Sequence, residues 1–146
     1  MAEQTSGTID IDASPDEVLD VITDFGSYPT WAKGVKSAKV LKKDSKGRPS
    51  EVSIEAGQMG FNSKQTLKYS YKAKNGGLSW TSTKCEGVAK SVEGSYELSG
   101  KGDGTHVKYQ MKMELAMPVP GMVKRQAERM ITDSALKGLK KEVEKR

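Results

Sequence analysis

Over residues 119–146, apolar and small residues recur in pairs about four positions apart. The pairs are Met122/Val123, Gln126/Ala127, Met130/Ile131, Ser134/Ala135 and Gly138/Leu139, and Val143 follows them. This spacing predicts one stripe along an amphipathic helix, and Pro118 and Pro120 mark its start. The stripe is rich in methionine and contains Gln126 and Ser134, whereas a helix that only seals a core more often carries Leu and Ile. We therefore interpret the helix as one wall of an adaptable cavity.

The start of the chain predicts a strand followed by two short helices. Residues 7–12 alternate apolar and polar side chains, which indicates a strand at the edge of a sheet. Ser14-Pro15-Asp16-Glu17 has the sequence of a capping box, with proline at the first helical position. Gly26 ends this helix near Asp24, and the aromatic segment 25–31 predicts a second, brief helix.

Between residues 35 and 117 the hydrophobic pattern changes to period two. Six strands are predicted, at 35–43, 49–57, 60–73, 78–84, 90–99 and 105–117. Glycine-rich connections between successive strands indicate an antiparallel meander. The fold class is therefore α+β: a curved seven-stranded antiparallel sheet wrapped around the C-terminal helix, the only element long enough to cover it. Residues 1–146 contain no repeat or linker, so a single domain is expected.

This order of elements and these residues resemble the START-like (SRPBCC) superfamily, which includes Bet v 1 allergens, polyketide cyclase/dehydrases and lipid-transfer proteins. The most specific match is residues 14–41, where a capped helix leads through Asp24-Phe25 and Tyr28-Pro29-Thr30-Trp31 to a strand. Leu78-Ser79-Trp80 and the Gly102–Thr105 turn also fit. The coenzyme-Q-binding branch has a comparable opening. The resemblance implies a helix-grip fold and a cavity between sheet and helix, but superfolds host unrelated activities.

The predicted function is binding or transport of a hydrophobic small molecule such as a lipid, a quinone or a polyketide. The candidate ligand-binding residues are Trp31, Phe61, Ser63, Gln65, Trp80, Tyr96, Tyr109, Met111, Met113, Met122, Gln126 and Met130. Methionine and aromatic residues suit apolar ligands, and a few polar groups orient them. Methionines that only fill a core are the alternative. The portal is predicted between the Gln58-Met59 turn and residues 119–122.

An aromatic polyketide cyclase or dehydratase is the alternative function, with Tyr96 and Tyr109 as weak catalytic candidates. Tyrosine is a poor base, since its ordinary pKa is about 10. His106 is the only histidine and lies in the outward phase of its strand, which predicts a surface position. Cys85 is interpreted as an incidental thiol beside a turn. No metal-ligand cluster or cofactor motif is present in the sequence, so neither a metal nor a cofactor is expected.

Charge along the 146 residues is uneven and raises a third alternative. Residues 1–32 carry seven acidic side chains and no Lys or Arg, whereas the whole chain has a net charge of +5. Lys64, Lys68 and Lys72 share one strand face, which could dock to a membrane, a respiratory complex or a ribosome. Nucleic acid is disfavoured because no aromatics interleave with these lysines. A cytoplasmic monomer is expected, since no secretory or membrane-spanning segment is seen.

Overall fold

A computed structural model describes residues 4–32, 35–58, 61–72, 76–87, 89–116, 118 and 120–146. The strands are β1 (Gln4–Ile11), β2 (Val35–Lys43), β3 (Pro49–Gln58), β4 (Phe61–Tyr71), β5 (Gly77–Gly87), β6 (Ala89–Lys101) and β7 (Gly104–Leu115). The helices are α1 (Pro15–Thr23), a 3-10 turn (Phe25–Ser27), α2 (Tyr28–Trp31), α3 (Gly121–Asp133), a π-helical turn (Ser134–Gly138) and α4 (Leu139–Lys145). Within the described residues, no helix is both long enough and apolar enough to cross a membrane.

The seven strands form one antiparallel sheet in the order β1-β7-β6-β5-β4-β3-β2. The predicted α+β helix-grip architecture is therefore confirmed, as is the position of β1 at an edge. Apolar side chains on alternate residues give the sheet one buried face, which the C-terminal helix covers. Six of the seven strands, β2 to β7, follow one another as a meander, so their pairings need only short turns.

The capping box at the start of α1 forms as predicted. The backbone N–H of Glu17 donates to Ser14 Oγ at 3.3 Å, and the Glu17 carboxylate accepts from the Ser14 backbone N–H at 3.2 Å. Val18, Val21 and Ile22 are buried on the inner face of this helix. The capping box thus provides hydrogen-bond partners for backbone N–H groups at the start of α1, and the apolar face of the helix packs into the core.

The predicted end of β5 at residue 84 is wrong. The strand continues to Gly87, so Cys85 lies inside it, paired in register with Gln65 and two residues before its end. The register shifts by one residue between the pairs Leu67↔Ser82 and Thr66↔Lys84, which places a bulge at Thr83. The bulge interrupts the two-residue alternation, so the sequence pattern ends several residues before the strand does.

The C-terminal helix has two different halves. Leu136, Leu139 and Val143 are buried, and α4 packs against α1 and β1. In α3, by contrast, the apolar residues Val123 and Ile131 are only half-buried. The second half of the helix therefore closes the core, and the first half covers a less filled part of the sheet.

Gly138 allows the helix to approach α2 closely. A Cβ at this position would lie 2.8 Å from the Trp31 carbonyl oxygen and 3.4 Å from its ring. In a helix interior, alanine is normally more stable than glycine by about 1 kcal/mol. Here we expect Gly138→Ala to lower the free energy of unfolding by about 1 kcal/mol or more, because overpacking outweighs the gain in propensity.

Urea unfolding measures this effect, and Gly121→Ala is the matched control. The nearest atom to a Cβ at Gly121 is Nη1 of the flexible Arg125 side chain, at 3.4 Å. The control should be neutral or stabilising. If Gly138→Ala is as stable as the control, the close contact with Trp31 does not constrain the helix.

Candidate ligand cavity

A cavity of about 210 Å³ lies between the sheet and the C-terminal helix. Its walls come from the inner faces of β3 to β7, from α3 and the π-helical turn, and from the α2 segment. An engineered protein cavity of about 150 Å³ is large enough to hold benzene. The space therefore accommodates a ligand larger than a single ring.

Trp80 lies at the centre of an aromatic wall on the sheet. Its ring centroid is 5.8 Å from that of Tyr69, 5.7 Å from that of Tyr96 and 5.8 Å from that of Tyr109. Gly94 lies opposite Trp80 in the β5–β6 register, and a Cβ there would be 2.6 Å from the indole. Because Gly94 has no side chain, the indole of Trp80 can occupy the space next to it. The aromatic wall is therefore a tightly packed set of rings.

A second aromatic group closes the end of the cavity. The Tyr28 ring lies 5.0 Å from Phe25 and 4.8 Å from Trp31. The Tyr28 hydroxyl donates to the Ile22 carbonyl, and Trp31 Nε1 donates to Ser27 Oγ at 3.2 Å. These bonds fix the turn after α1, so that Tyr28 and Trp31 present their rings to the cavity.

One hydrogen bond joins the aromatic wall to the helix. The Tyr96 hydroxyl donates to the carbonyl of Ala135, in the π-helical turn, at 2.9 Å. A π-helical turn changes the register of backbone hydrogen bonds, and such turns are frequent at functional sites. The bond therefore links the strand at the centre of the wall to the point where α3 meets α4.

Other polar groups of the wall are free to meet a ligand. The hydroxyls of Tyr69 and Tyr109 form no hydrogen bond with another described residue. Gln65 Oε1 is buried, again with no partner in the described part of the chain. Burial raises the pKa of Tyr69, Tyr96 and Tyr109 well above the ordinary tyrosine value. The wall is therefore uncharged at neutral pH but offers hydrogen-bonding groups.

Most of the candidate ligand-binding residues line this cavity. They are Trp31, Ser63, Gln65, Trp80, Tyr96, Tyr109, Met111 and Met113. The side chain of Phe61 lies outside the described part of the structure. The predicted portal also falls partly outside it, since Met59 and Val119 are not described.

The placement of Met122, Gln126 and Met130 on the inner face of the helix is wrong. Met122 is 74% exposed, Met130 is 37% exposed, and Gln126 is exposed as well. In each sequence pair the neighbouring residue faces the cavity instead, as Ala127 and Ile131 do. Adjacent residues on a helix are about 100° apart, and in the three pairs that contain Met122, Gln126 and Met130 the second residue is the one that lines the cavity. The methionines of the cavity wall come from β7 instead.

Several cavity residues were missed by the sequence prediction. Among the described lining residues, Lys124 is the one with a charged side chain, and it is half-buried near the start of α3. Its position one residue after Val123 and three before Ala127 would have placed it beside the inner stripe. Tyr28 belongs to the aromatic segment 25–31, which was predicted as a short helix. Of that segment, only Trp31 was predicted to bind a ligand.

His106 lies away from the cavity, on the outer surface, as its strand phase predicts. Its Nδ1 is 2.6 Å from Asp10 Oδ1, and Lys101 Nζ is 2.9 Å from Asp10 Oδ2. Hydrogen bonds from these two residues lower the pKa of Asp10. The described residues contain no group of three or more His, Cys, Asp or Glu side chains arranged to hold a metal.

Residues 11–140 match the model of the polyketide cyclase/dehydrase and lipid transport family, and the chain belongs to that family. Among solved structures, a START superfamily protein from Mycobacterium smegmatis is 25% identical with a TM-score of 0.85, over 97% of both chains. No curated protein matches the chain in sequence.

Two more distant structures show the same fold. The Zhui aromatase/cyclase from Streptomyces sp. R1128 is 13% identical with a TM-score of 0.82, over 100% of this chain and 96% of the other. A STAR-related lipid transfer protein from Xanthomonas axonopodis is 18% identical with a TM-score of 0.74, over 97% of this chain and 85% of the other.

The environment of the tyrosines predicts an unusual alkaline titration. Burial raises the pKa of Tyr28, Tyr69, Tyr96 and Tyr109, and raises that of Tyr71 to about 12. These are all five tyrosines of the chain. At about pH 10.5 the folded protein should show little tyrosinate absorbance, whereas the guanidinium-unfolded chain should be more than half ionised.

The same shifts predict how stability changes with pH. A raised pKa in the folded state favours the neutral tyrosine, so its stabilising contribution is complete below about pH 10 and is lost as the pH rises further. Unfolding followed at several alkaline pH values should show this decline. Identical titration midpoints for the folded and unfolded protein would contradict the burial of the aromatic wall.

Proposed function

We propose that the protein binds a hydrophobic small molecule of the lipid, quinone or polyketide class in this cavity. The observation that carries the proposal is an apolar space of about 210 Å³ inside the fold, walled by aromatic and methionine side chains. Ligand sites in proteins are mostly apolar hollows with a few polar groups that fix orientation. Burial of the ligand's apolar surface would drive binding.

The cost of an unfilled cavity supports a ligand over a loosely packed core. Protein interiors are close-packed, and voids destabilise by about 24 cal/mol per Å³. The space of about 210 Å³ between the sheet and the helix is much larger than the small voids of a close-packed core. A ligand that fills the space recovers part of this loss.

The polar groups of the wall favour a ligand that carries oxygen atoms. The Gln65 amide can donate and accept hydrogen bonds, and so can the hydroxyls of Tyr69 and Tyr109. Lys124 adds a cation close to the start of α3. A molecule with an apolar body and one or more carbonyl, hydroxyl or carboxyl groups suits this arrangement better than a pure hydrocarbon does.

The catalytic roles of Tyr96 and Tyr109 remain predictions, and we do not include them in the proposal. The Tyr96 hydroxyl is already hydrogen-bonded to the Ala135 carbonyl. Burial raises the pKa of both tyrosines, so both hydroxyls keep their protons at neutral pH. Neither therefore supplies the base that a cyclase or dehydratase needs.

Native mass spectrometry of protein purified from its own host tests the proposal, followed by titration with a fatty acid, a quinone and an aromatic polyketide. Ala127→Phe places a large ring in the cavity, because Ala127 lines it. Gln126→Phe introduces the same ring one residue away, at an exposed position. We expect Ala127→Phe to lower the affinity for the bound class at least tenfold and Gln126→Phe to leave it unchanged.

Two outcomes would contradict the proposal. One is recovery of only the bare protein mass together with no shift for any member of the panel. The other is equal binding by both phenylalanine variants, which would place the ligand elsewhere. Thermal unfolding of each variant shows whether a loss of binding reflects a filled cavity or a lost fold.

A further inference from the structure

The outward side of the C-terminal helix carries exposed methionines that the cavity does not use. Met122 and Met130 are two of the three large hydrophobic side chains that are exposed among the described residues. With Gln126 between them, they follow one line along α3, turned away from the cavity. Two exposed apolar side chains on one line of a helix offer a partner an apolar surface to cover.

Basic side chains that form no ion pair with another described residue are spaced along the helix that carries this line. In the described part of the chain, six basic residues of the helix have no ion pair: Lys124, Arg125, Arg129, Lys137, Lys141 and Lys145. The remaining two, Lys140 and Arg146, pair with Glu144 and Glu142. Positive charge is therefore available along the whole length of the helix.

Apolar and basic side chains meet in one groove on this side. Met130 lines it together with Lys137, Lys141 and Lys145, and residues 29–32 form the opposite wall. Asp133 and Glu142 also line it, and Glu142 is paired with Arg146. Trp31, Ala32, Val35 and Ser134 line both this groove and the inner cavity. The groove thus lies directly outside the cavity wall.

The lysines on the outer face of the sheet differ from those of the helix. Lys64 lies opposite Glu55 on one neighbouring strand and opposite Glu86 on the other. Lys72 Nζ is 3.2 Å from a carboxylate oxygen of Glu97. Among the described residues Lys72 forms an ion pair and Lys64 and Lys68 do not, so the sheet lysines differ from the helix lysines chiefly in lying on the outer face of the sheet, opposite the face that the helix covers.

We propose that the outward side of the helix, formed by Met122, Gln126, Met130, Lys137, Lys141 and Lys145, docks onto an anionic phospholipid membrane. The methionines enter the interface between head groups and acyl chains, and the lysines meet the phosphates. This docking is independent of what the cavity holds. It places the groove, and the cavity wall that it shares, against the lipid surface.

A membrane fits this side better than a nucleic acid does. Proteins that bind single-stranded nucleic acids combine cations with aromatic rings on which bases stack. Here the exposed apolar side chains are methionines, which insert among acyl chains but offer no flat face. A straight helix of about 25 residues extends roughly 37 Å and can lie along a membrane surface.

Vesicle co-sedimentation of the full chain tests the proposal. The vesicles contain either equal parts of phosphatidylglycerol and phosphatidylcholine or phosphatidylcholine alone. The helix variant combines Lys137→Gln, Lys141→Gln and Lys145→Gln, and its matched control combines Lys64→Gln, Lys68→Gln and Lys72→Gln. Both variants remove three positive charges from exposed positions.

We expect the unsubstituted protein to bind the anionic vesicles only, and more weakly as salt is added. Each cation near an anionic surface contributes about fivefold to partitioning, so the helix variant should bind about a hundredfold more weakly. The control should bind within about threefold of the unsubstituted protein, because its lysines lie on the outer face of the sheet, away from the helix.

Three results would overturn the proposal: no preference of the unsubstituted protein for anionic vesicles, unchanged binding by the helix variant, or equal losses in both variants. Circular dichroism and thermal unfolding establish that the variants fold. Met122→Ser replaces a side chain that is 74% exposed and should also weaken binding several-fold. Unchanged binding by a folded Met122→Ser would show that no methionine enters the bilayer.

Discussion

The structure depends on one constraint: one long helix has to cover most of the concave face of a seven-stranded sheet, with α1 and the aromatic turn after it completing the core. The second half of that helix meets the requirement by close packing, through Leu136, Leu139 and Val143. The first half stands over rings and methionines that it does not fully contact, and the cavity lies there. The hydrogen bond from the Tyr96 hydroxyl to the Ala135 carbonyl lies at the π-helical turn, where the closely packed half of the helix meets the half that covers the cavity.

The sequence was sufficient to predict the strands and their inner faces. Alternate residues of a strand point to opposite faces, so the apolar set of each strand identifies its inner face. Met111 and Met113 on β7 were therefore placed correctly. A helix offers more freedom, and the pairs spaced by about four residues did not say which member faces inward, so Met122 and Met130 were misplaced. The end of β5 was predicted too early because a bulge at Thr83 breaks the alternation, and bulges leave little trace in a sequence.

The family includes both polyketide cyclase/dehydrases and lipid-transport proteins, so membership alone does not assign an activity to this chain. Here the wall is aromatic and its tyrosines keep their protons, since burial opposes the charged form. Under the proposed function, Gln65, Lys124 and the hydroxyls of Tyr69 and Tyr109 orient the bound ligand. The rings on the sheet are rigid, and the residues of α3 that line the cavity include the small Ala127. The shape of a bound ligand would therefore determine how much of the space is filled.

The most direct test of the central claim, that the ligand occupies the space between sheet and helix, is methyl NMR of the protein labelled at methionine. A ligand in the cavity should shift the methyl signals of Met111 and Met113, which line it, and give nuclear Overhauser contacts to them. The signals of the exposed Met122 and Met130 should stay unchanged in the absence of lipid vesicles. Shifts confined to Met122 and Met130 would contradict the account, because the ligand would then lie on the outside of the helix.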